Sequence, residues 1–369
     1  MTDRFVQRRN RLLPIVERSQ VDLFLISCEK NVSYLTGFTG DSTWLVAGAG
    51  PMRLVSDGRY TEQLREECPE LEARIRPPSL KLHEAAISLL KELRPRRVGI
   101  EGHVMSVELC DALAAGLAGV ELVPINNVIE SVLRAIKDEH EVAEIRAAIA
   151  MAIRGFEALA EFATSGKTER ECAFELESAI RRAGAERFSF PAILAVGDRA
   201  SQPHYRAGGR RMDDNPLLLI DWGAETPGGY KSDLTRTVWR GEPTEQFREI
   251  YSVVLAAQSA GIEAVRPGVT GESVDKVARD VIAAAGYGQQ FGHSLGHGIG
   301  LDIHEQPRLA PNSLVVLKPG MVVTVEPGIY LPQWGGVRIE DDVLVTDTGC
   351  EVLSDSLSKR LDDMLWPVR

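Results

Sequence analysis

Leu217-Leu218-Leu219-Ile220-Asp221 is an unbroken apolar run closed by an acid; twelve residues on, Ser232-Asp233-Leu234-Thr235-Arg236-Thr237-Val238 sets a second acid in another strand-like segment. The pattern recurs near the C-terminus. Met321-Val322-Val323-Thr324-Val325 runs into Glu326, and Gly336-Val337-Arg338-Ile339-Glu340 brings a second glutamate. Short runs rich in valine, isoleucine and threonine predict strands, and on a period of two Arg338 and Glu340 share one face. An acid buried on an apolar strand is costly unless it is paired or holds a metal. One arginine cannot neutralise four such acids, whereas a pair of divalent cations can. These segments therefore predict strands that converge on one cationic centre.

Around them the pattern is helical. From about residue 138 apolar residues recur near the 3.6-residue period, and further helices are expected at 169–183, 245–265 and 272–285. Strands are expected near 217–221, 234–239, 322–326 and 337–345. Strands grouped around long helices make this an α+β layer rather than a doubly wound parallel sheet. The first third reads as a smaller α/β unit, with strands at 21–27, 43–47, 52–56, 98–100 and 120–124 and helices at 4–18, 84–93 and 106–117. A break at 124–127 sets the expected domains at 1–127 and 128–369.

Composition bounds the function. The 369 residues are 44% hydrophobic and 26% charged, ordinary for a soluble globular chain of two or three domains. With 53 acidic and 42 basic residues, the net charge of −11 opposes binding to nucleic acid or anionic membrane. No apolar run approaches the length of a membrane span, and the N-terminus lacks the apolar core of a signal peptide. The five cysteines, Cys28, Cys68, Cys110, Cys172 and Cys350, are scattered without a CxxC pair. They read as free thiols in a reducing cytoplasm.

Of seven histidines, three fall within twelve positions, in His293-Ser294-Leu295-Gly296-His297-Gly298-Ile299-Gly300-Leu301-Asp302-Ile303-His304-Glu305. The glycines oppose a helix and admit close backbone approach, so this is not the helical HExxH zinc motif. His204 stands apart in Gln202-Pro203-His204-Tyr205; His83, His103 and His140 sit in polar or mixed contexts and read as structural or solvated. One imidazole with four carboxylates is a hard, oxygen-rich donor set. It suits Mn²⁺, Co²⁺ or Fe²⁺, with Zn²⁺ admissible. Two such ions could hold a hydroxide and polarise a carbonyl while the remaining imidazoles steady an oxyanion.

The order Asp221, Asp233, His297, Glu326, Glu340 resembles the metallopeptidases of the pita-bread fold. The string at 293–305, Val-Glu-Pro-Gly-Ile-Tyr at 325–330 and Gly-Val-Arg-Ile-Glu-Asp at 336–341 are similar to its proline-specific branch, the Xaa-Pro aminopeptidases and prolidases. Asn31-Val32-Ser33-Tyr34-Leu35-Thr36-Gly37-Phe38 and Ser56-Asp57-Gly58-Arg59-Tyr60 resemble that branch's creatinase-like N-terminal domain. The resemblance spans essentially the whole chain. It implies a pita-bread catalytic domain after a smaller α/β domain, two divalent ions with Mn²⁺ first among them, and peptides with proline in second position as substrates. It also implies a cytoplasmic homodimer. Asp221 would ligate one ion, Asp233 and Glu340 would bridge the two, and His297 and Glu326 would complete the second site. Glu326 would also serve as general base, His204 and His304 would contact the substrate and developing oxyanion, and His293 would line the pocket. Arg338 would hold the ligand network. Arg308, in His304-Glu305-Gln306-Pro307-Arg308, would grip a dipeptide's C-terminal carboxylate, a slight lean toward a dipeptidase. Val196 stands where relatives often carry serine. A metal-free creatinase-like amidinohydrolase and a non-catalytic peptide-binding module remain open; relatives of either kind typically lose metal ligands, and all five are present here.

Overall fold

Strand Leu217–Trp222 is buried at every position, as its apolar run requires. It pairs antiparallel with Leu234–Arg240, Leu234 opposite Trp222 and Thr235 opposite Asp221. Ile193–Val196 and Leu365–Trp366 complete this four-stranded sheet. A second, five-stranded sheet runs in the order Glu305–Leu309, Gly296–Gly298, Val322–Val325, Asp341–Val345, Cys350–Val352. The computed structural model describes residues 3–164 and 166–368, and among them no helix is long and apolar enough to cross a membrane. All five cysteines are free thiols.

The chain separates into two compact units, Met1–Arg134 and Ala135–Arg369. The first holds one mixed sheet in the order Glu72–Arg76, Arg53–Asp57, Trp44–Gly48, Leu23–Ile26, Arg97–Ile100, Glu121–Pro124. Ile129 and Leu133 are buried in this unit, and Arg134 donates to Asn31 Oδ1 at 2.9 Å. These contacts carry it past the break at 124–127. Three of its elements escape the periodicity reading. Helices Glu29–Thr36 and Thr61–Glu67 are too short to build an apolar stripe, and Glu72–Arg76 is a half-buried edge strand whose charges mask its register. Gly37 ends the first of these helices at φ 83°, where a Cβ would meet the Phe5 ring at 2.6 Å.

In the second unit the long helices begin at side-chain caps. Asp138 and Thr168 form reciprocal capping boxes with Glu141 and Glu171, and Thr244 and Thr270 cap the helices Glu245–Ala264 and Gly271–Ala284. The expected strand at 337–345 is in fact two. Gly335–Arg338 forms a ribbon with Gly328–Leu331, while Asp341–Val345 joins the five-stranded sheet beside Val322–Val325. The switch occurs at Glu340, whose N–H donates to Thr235 O at 3.1 Å and whose carbonyl accepts from Arg236 Nη1 at 2.6 Å. These bonds tie Glu340 to the four-stranded sheet, so the chain turns there instead of running straight.

Trp222 shows how this core holds the acid-bearing strand. Its ring is fully buried, stacks on Phe156 with centroids 4.9 Å apart, and donates Nε1–H to Ala152 O at 2.9 Å. Trp222→Ala should lower stability by about 3–5 kcal/mol, the usual loss for a buried aromatic, read from denaturant unfolding. Phe174→Ala, whose ring is 64% exposed, should stay within about 0.5 kcal/mol of the parent.

Candidate metal centre

The strand pairing assembles the acids. The antiparallel register sets Asp221 opposite Thr235, with Asp233 just before the partner strand. His297 is the middle residue of Gly296–Gly298. A Cβ on Gly296 would lie 1.9 Å from Thr324 O and one on Gly298 2.2 Å from Gln306 O, so only glycine lets the neighbouring strands close on the histidine. Glu326 follows Val322–Val325 and is held by its N–H to Leu295 O at 2.8 Å. Glu340 arrives from the sheet switch, and Asp342 Oδ2 accepts the Asp233 N–H at 3.1 Å.

One ligand atom each of Asp233, His297 and Glu340 lie within 4.8 Å of one another. His297 Nε2 is 3.6 Å from Asp233 Oδ2 and 3.5 Å from Glu326 Oε1. Its other nitrogen, Nδ1, faces Gly298 O at 3.1 Å. With Nδ1–H donating to that carbonyl, Nε2 presents a bare lone pair to the acids, the tautomer a metal ligand needs.

A hydrogen-bond relay holds the opposite side. Arg338 binds Asp221 Oδ2 through Nη2, Thr235 Oγ1 through Nε at 3.1 Å, and Tyr330 Oη through Nη1 at 2.7 Å. Thr235 in turn donates to Glu340 Oε2 at 2.6 Å. Tyr330 Oη reaches His293 Nε2 at 2.9 Å, while His293 Nδ1 faces Ser294 O at 2.8 Å. Arg338 and Glu340 thus meet across Thr235, although they belong to no common strand.

The electrostatics of this arrangement are unfavourable without further cations. Burial, then the charges of Glu340, Asp221 and Glu326, push Asp233 well above the ordinary carboxyl range. Burial and then Glu326 do the same to Glu340, and burial lifts Glu326 to about 8 and raises Asp221 against the pull of Arg338. Burial also drives His297 down to about 3 and His293 to about 4, so both stay neutral. Asp221 Oδ1 is buried with no hydrogen-bond partner among the described residues. An orphaned carboxylate oxygen, a bare imidazole nitrogen and an excess of like charge form a donor set that fits divalent cations.

The centre opens into a cavity of about 460 Å³. Asp221, Asp233, His297, Glu326 and Glu340 line it together with His204, His293, His304, Arg308 and Arg338, so the structure places all ten expected site residues on one cavity. His304 stands edge-on to His297, ring centroids 4.4 Å apart. Burial, followed by the charge of Arg308, lowers its pKa and keeps it neutral. Arg308 lies in strand Glu305–Leu309 rather than in a loop, and is exposed. The walls that sequence reasoning missed are Phe190, Pro191, Ile193, Pro203, Tyr205, Arg206, Ser294 and Ile303. Thr235 and Tyr330 were missed as supports. Thr235 was within reach, since it stands two residues from Asp233 and shares its strand face; Tyr330 carries no local signal, because its partners Arg338 and His293 come from elsewhere in the chain.

Metallopeptidase family M24 matches residues 143–347, and the creatinase/prolidase N-terminal domain matches residues 8–136. An Xaa-Pro dipeptidase of Pyrococcus furiosus is 37% identical, covering 94% of this chain and 97% of its own. Among solved structures, an Xaa-Pro dipeptidase from Bacillus anthracis superposes with a TM-score of 0.92 at 36% identity, over 99% of this chain and 100% of the other. An X-Pro aminopeptidase from Thermotoga maritima superposes at 0.86 with 33% identity, over 98% and 99%. The match covers more than half the chain and carries the acid-bearing strands and the clustered histidines with it: the chain belongs to metallopeptidase family M24, with a creatinase-type N-terminal domain ahead of the pita-bread domain.

Proposed function

We propose that this enzyme hydrolyses the bond between an N-terminal residue and a following proline, using two divalent ions held by Asp221, Asp233, His297, Glu326 and Glu340. The observation that carries the metal assignment is the convergence of the buried carboxylates of Asp233 and Glu340 with the bare Nε2 of His297, beside Glu326 and an Asp221 held by Arg338. The proline specificity is supported by the likeness to Xaa-Pro dipeptidases and an X-Pro aminopeptidase over nearly the whole chain. The oxygen-rich donors favour Mn²⁺, with Co²⁺ or Zn²⁺ as substitutes. The same reading, on the family resemblance, makes the protein a cytoplasmic homodimer.

Bound ions would supply Lewis acidity toward the scissile carbonyl and acidify water. The protein's own groups do the rest. Arg338 fixes Asp221, and Thr235 fixes Glu340, so neither carboxylate rotates away. Glu326, made more basic by burial, takes the proton from the attacking water and passes it on to the leaving proline nitrogen. Neutral His304, with His204 beside it on the cavity, donates an N–H to the developing oxyanion. Arg308 presents two parallel N–H donors to the carboxylate of the proline, which favours dipeptides over longer substrates.

Three outcomes follow from these roles. Asp233→Asn and His297→Ala should lose bound metal on elemental analysis, while His304→Ala should keep it and lose about 10²–10³ in kcat; equal metal retention in both histidine variants would make His297 the wrong ligand. Chelated protein should lose stability as pH rises from about 4 to about 8. Glu326 titrates near 8 when folded and near 4.3 unfolded, so folding takes up a proton in that window and the gain vanishes above it. Thermal melts should show this slope flattened when Mn²⁺ is restored. Arg308→Ala should cut kcat/KM on an Xaa-Pro dipeptide roughly ten- to hundredfold while leaving its C-terminal amide little changed. A uniform loss on both substrates would remove Arg308 from the carboxylate site.

A further inference from the structure

The cavity carries a second guanidinium, that of Arg206, which the reaction outlined above does not use. Arg206 stands two residues past His204, on a loop anchored from below by the fully buried Glu169. The Glu169 carboxylate accepts the Val196 N–H at 2.9 Å, the Tyr205 Oη–H at 2.8 Å and the Gly208 N–H at 2.9 Å. The loop is therefore held on both sides of Arg206, through the Tyr205 side chain and the Gly208 backbone. Nearby Arg210 is neutralised by Asp198 and also bonds Val196 O. The Arg206 guanidinium, by contrast, is exposed on the cavity and has no hydrogen bond or ion pair among the described residues. A fixed loop that presents an unpaired fork of N–H donors is built to take a carboxylate.

The two arginines reach the cavity from different elements, Arg308 from strand Glu305–Leu309 and Arg206 from the loop that bears His204. The charge of Arg308 acts directly on His304, His297 and Glu326, next to the reacting centre. His204 acts on Asp221, His293 and His304, so its loop faces the same centre. With Arg308 assigned to the carboxylate of the proline itself, Arg206, exposed on the same cavity, is left for one lying a residue farther along the peptide.

We propose that Arg206 binds a carboxylate on the residue after proline, so that the pocket accepts Xaa-Pro-Yaa tripeptides alongside Xaa-Pro dipeptides. This rests on the Xaa-Pro peptidase reading. The carboxylate is either the tripeptide's C-terminus or an acidic side chain at the third position.

The test measures kcat/KM for the full-length, metal-loaded enzyme and its Arg206→Met and Arg206→Lys variants. The substrates are Ala-Pro, Ala-Pro-Gly, Ala-Pro-Gly amide and Ala-Pro-Glu amide. If the tripeptide's C-terminus is the ligand, Arg206→Met should lower the ratio of Ala-Pro-Gly to Ala-Pro by about tenfold or more, the size of a lost bond to a charged group, mainly through KM. Arg206→Lys should restore part of it, because charge returns without the fork. If the C-terminus is the ligand, the Ala-Pro-Gly amide will be insensitive to the substitution. If an acidic side chain is the ligand, the Ala-Pro-Glu amide will lose rate while the Ala-Pro-Gly amide does not. Unchanged ratios on every substrate, or a wild type that cleaves Ala-Pro but none of the three tripeptides, would overturn the role of Arg206 and leave the peptidase standing. A wild type that cleaves none of the four would overturn both readings.

Discussion

Four carboxylates buried together are the constraint from which the rest of the second unit follows. Each lies where water is largely excluded, so each raises the cost of ionising its neighbours, and Arg338 bonds directly to Asp221 alone among them. The fold answers by giving two of the acids a close side-chain partner. Thr235 takes Glu340 and Arg338 takes Asp221, while Asp342 accepts only the backbone N–H of Asp233 and adds a further acid beside it. What this network leaves over is an orphaned oxygen on Asp221 and an imidazole nitrogen turned toward the acids. That residue of unsatisfied charge is what makes the centre a place for cations rather than a structural ion-pair cluster.

The geometry depends on strand register more than on any single bond. A slip of one residue between Leu217–Trp222 and Leu234–Arg240 would carry Asp221 and Thr235 to opposite faces and dismantle the relay. The apolar positions of both strands hold that register, since all are buried. The rim of the cavity is fixed by separate buried charges. Glu169 ties down the loop bearing His204. Lys137 pairs with Glu305 at 3.0 Å, both side chains almost wholly buried, at the start of the strand that follows His304 and carries Arg308. Rigid sheets therefore supply the acids and separately anchored loops supply the groups that would meet substrate.

The parts legible in the sequence were those whose signal is local. An apolar run ending in an acid announces a strand and a problem of charge in the same five residues, and this holds for Asp221 and Glu326 alike. The glycines around His297 announce close backbone approach because no other residue tolerates it. The helices expected from about 138 and at 169–183 rest on an equally local apolar period.

Tertiary structure alone decided the rest. The chain breaks at Glu340 because Thr235 and Arg236, a hundred residues earlier, capture its backbone; nothing in Val337-Arg338-Ile339-Glu340-Asp341 signals the turn. Tyr330 becomes a support only where Arg338 and His293 meet it, and Arg206 has no partner among the described residues while Glu169 and Asp198 bind its neighbours. The sequence by itself determined which residues carry charge and which segments must be buried, since side-chain chemistry and a two-residue period are properties of neighbours along the chain. Which charges meet, which remain unanswered and which nitrogen faces the acids were decided by contacts between residues far apart in sequence, where the energy of a group depends on partners that only folding brings to it.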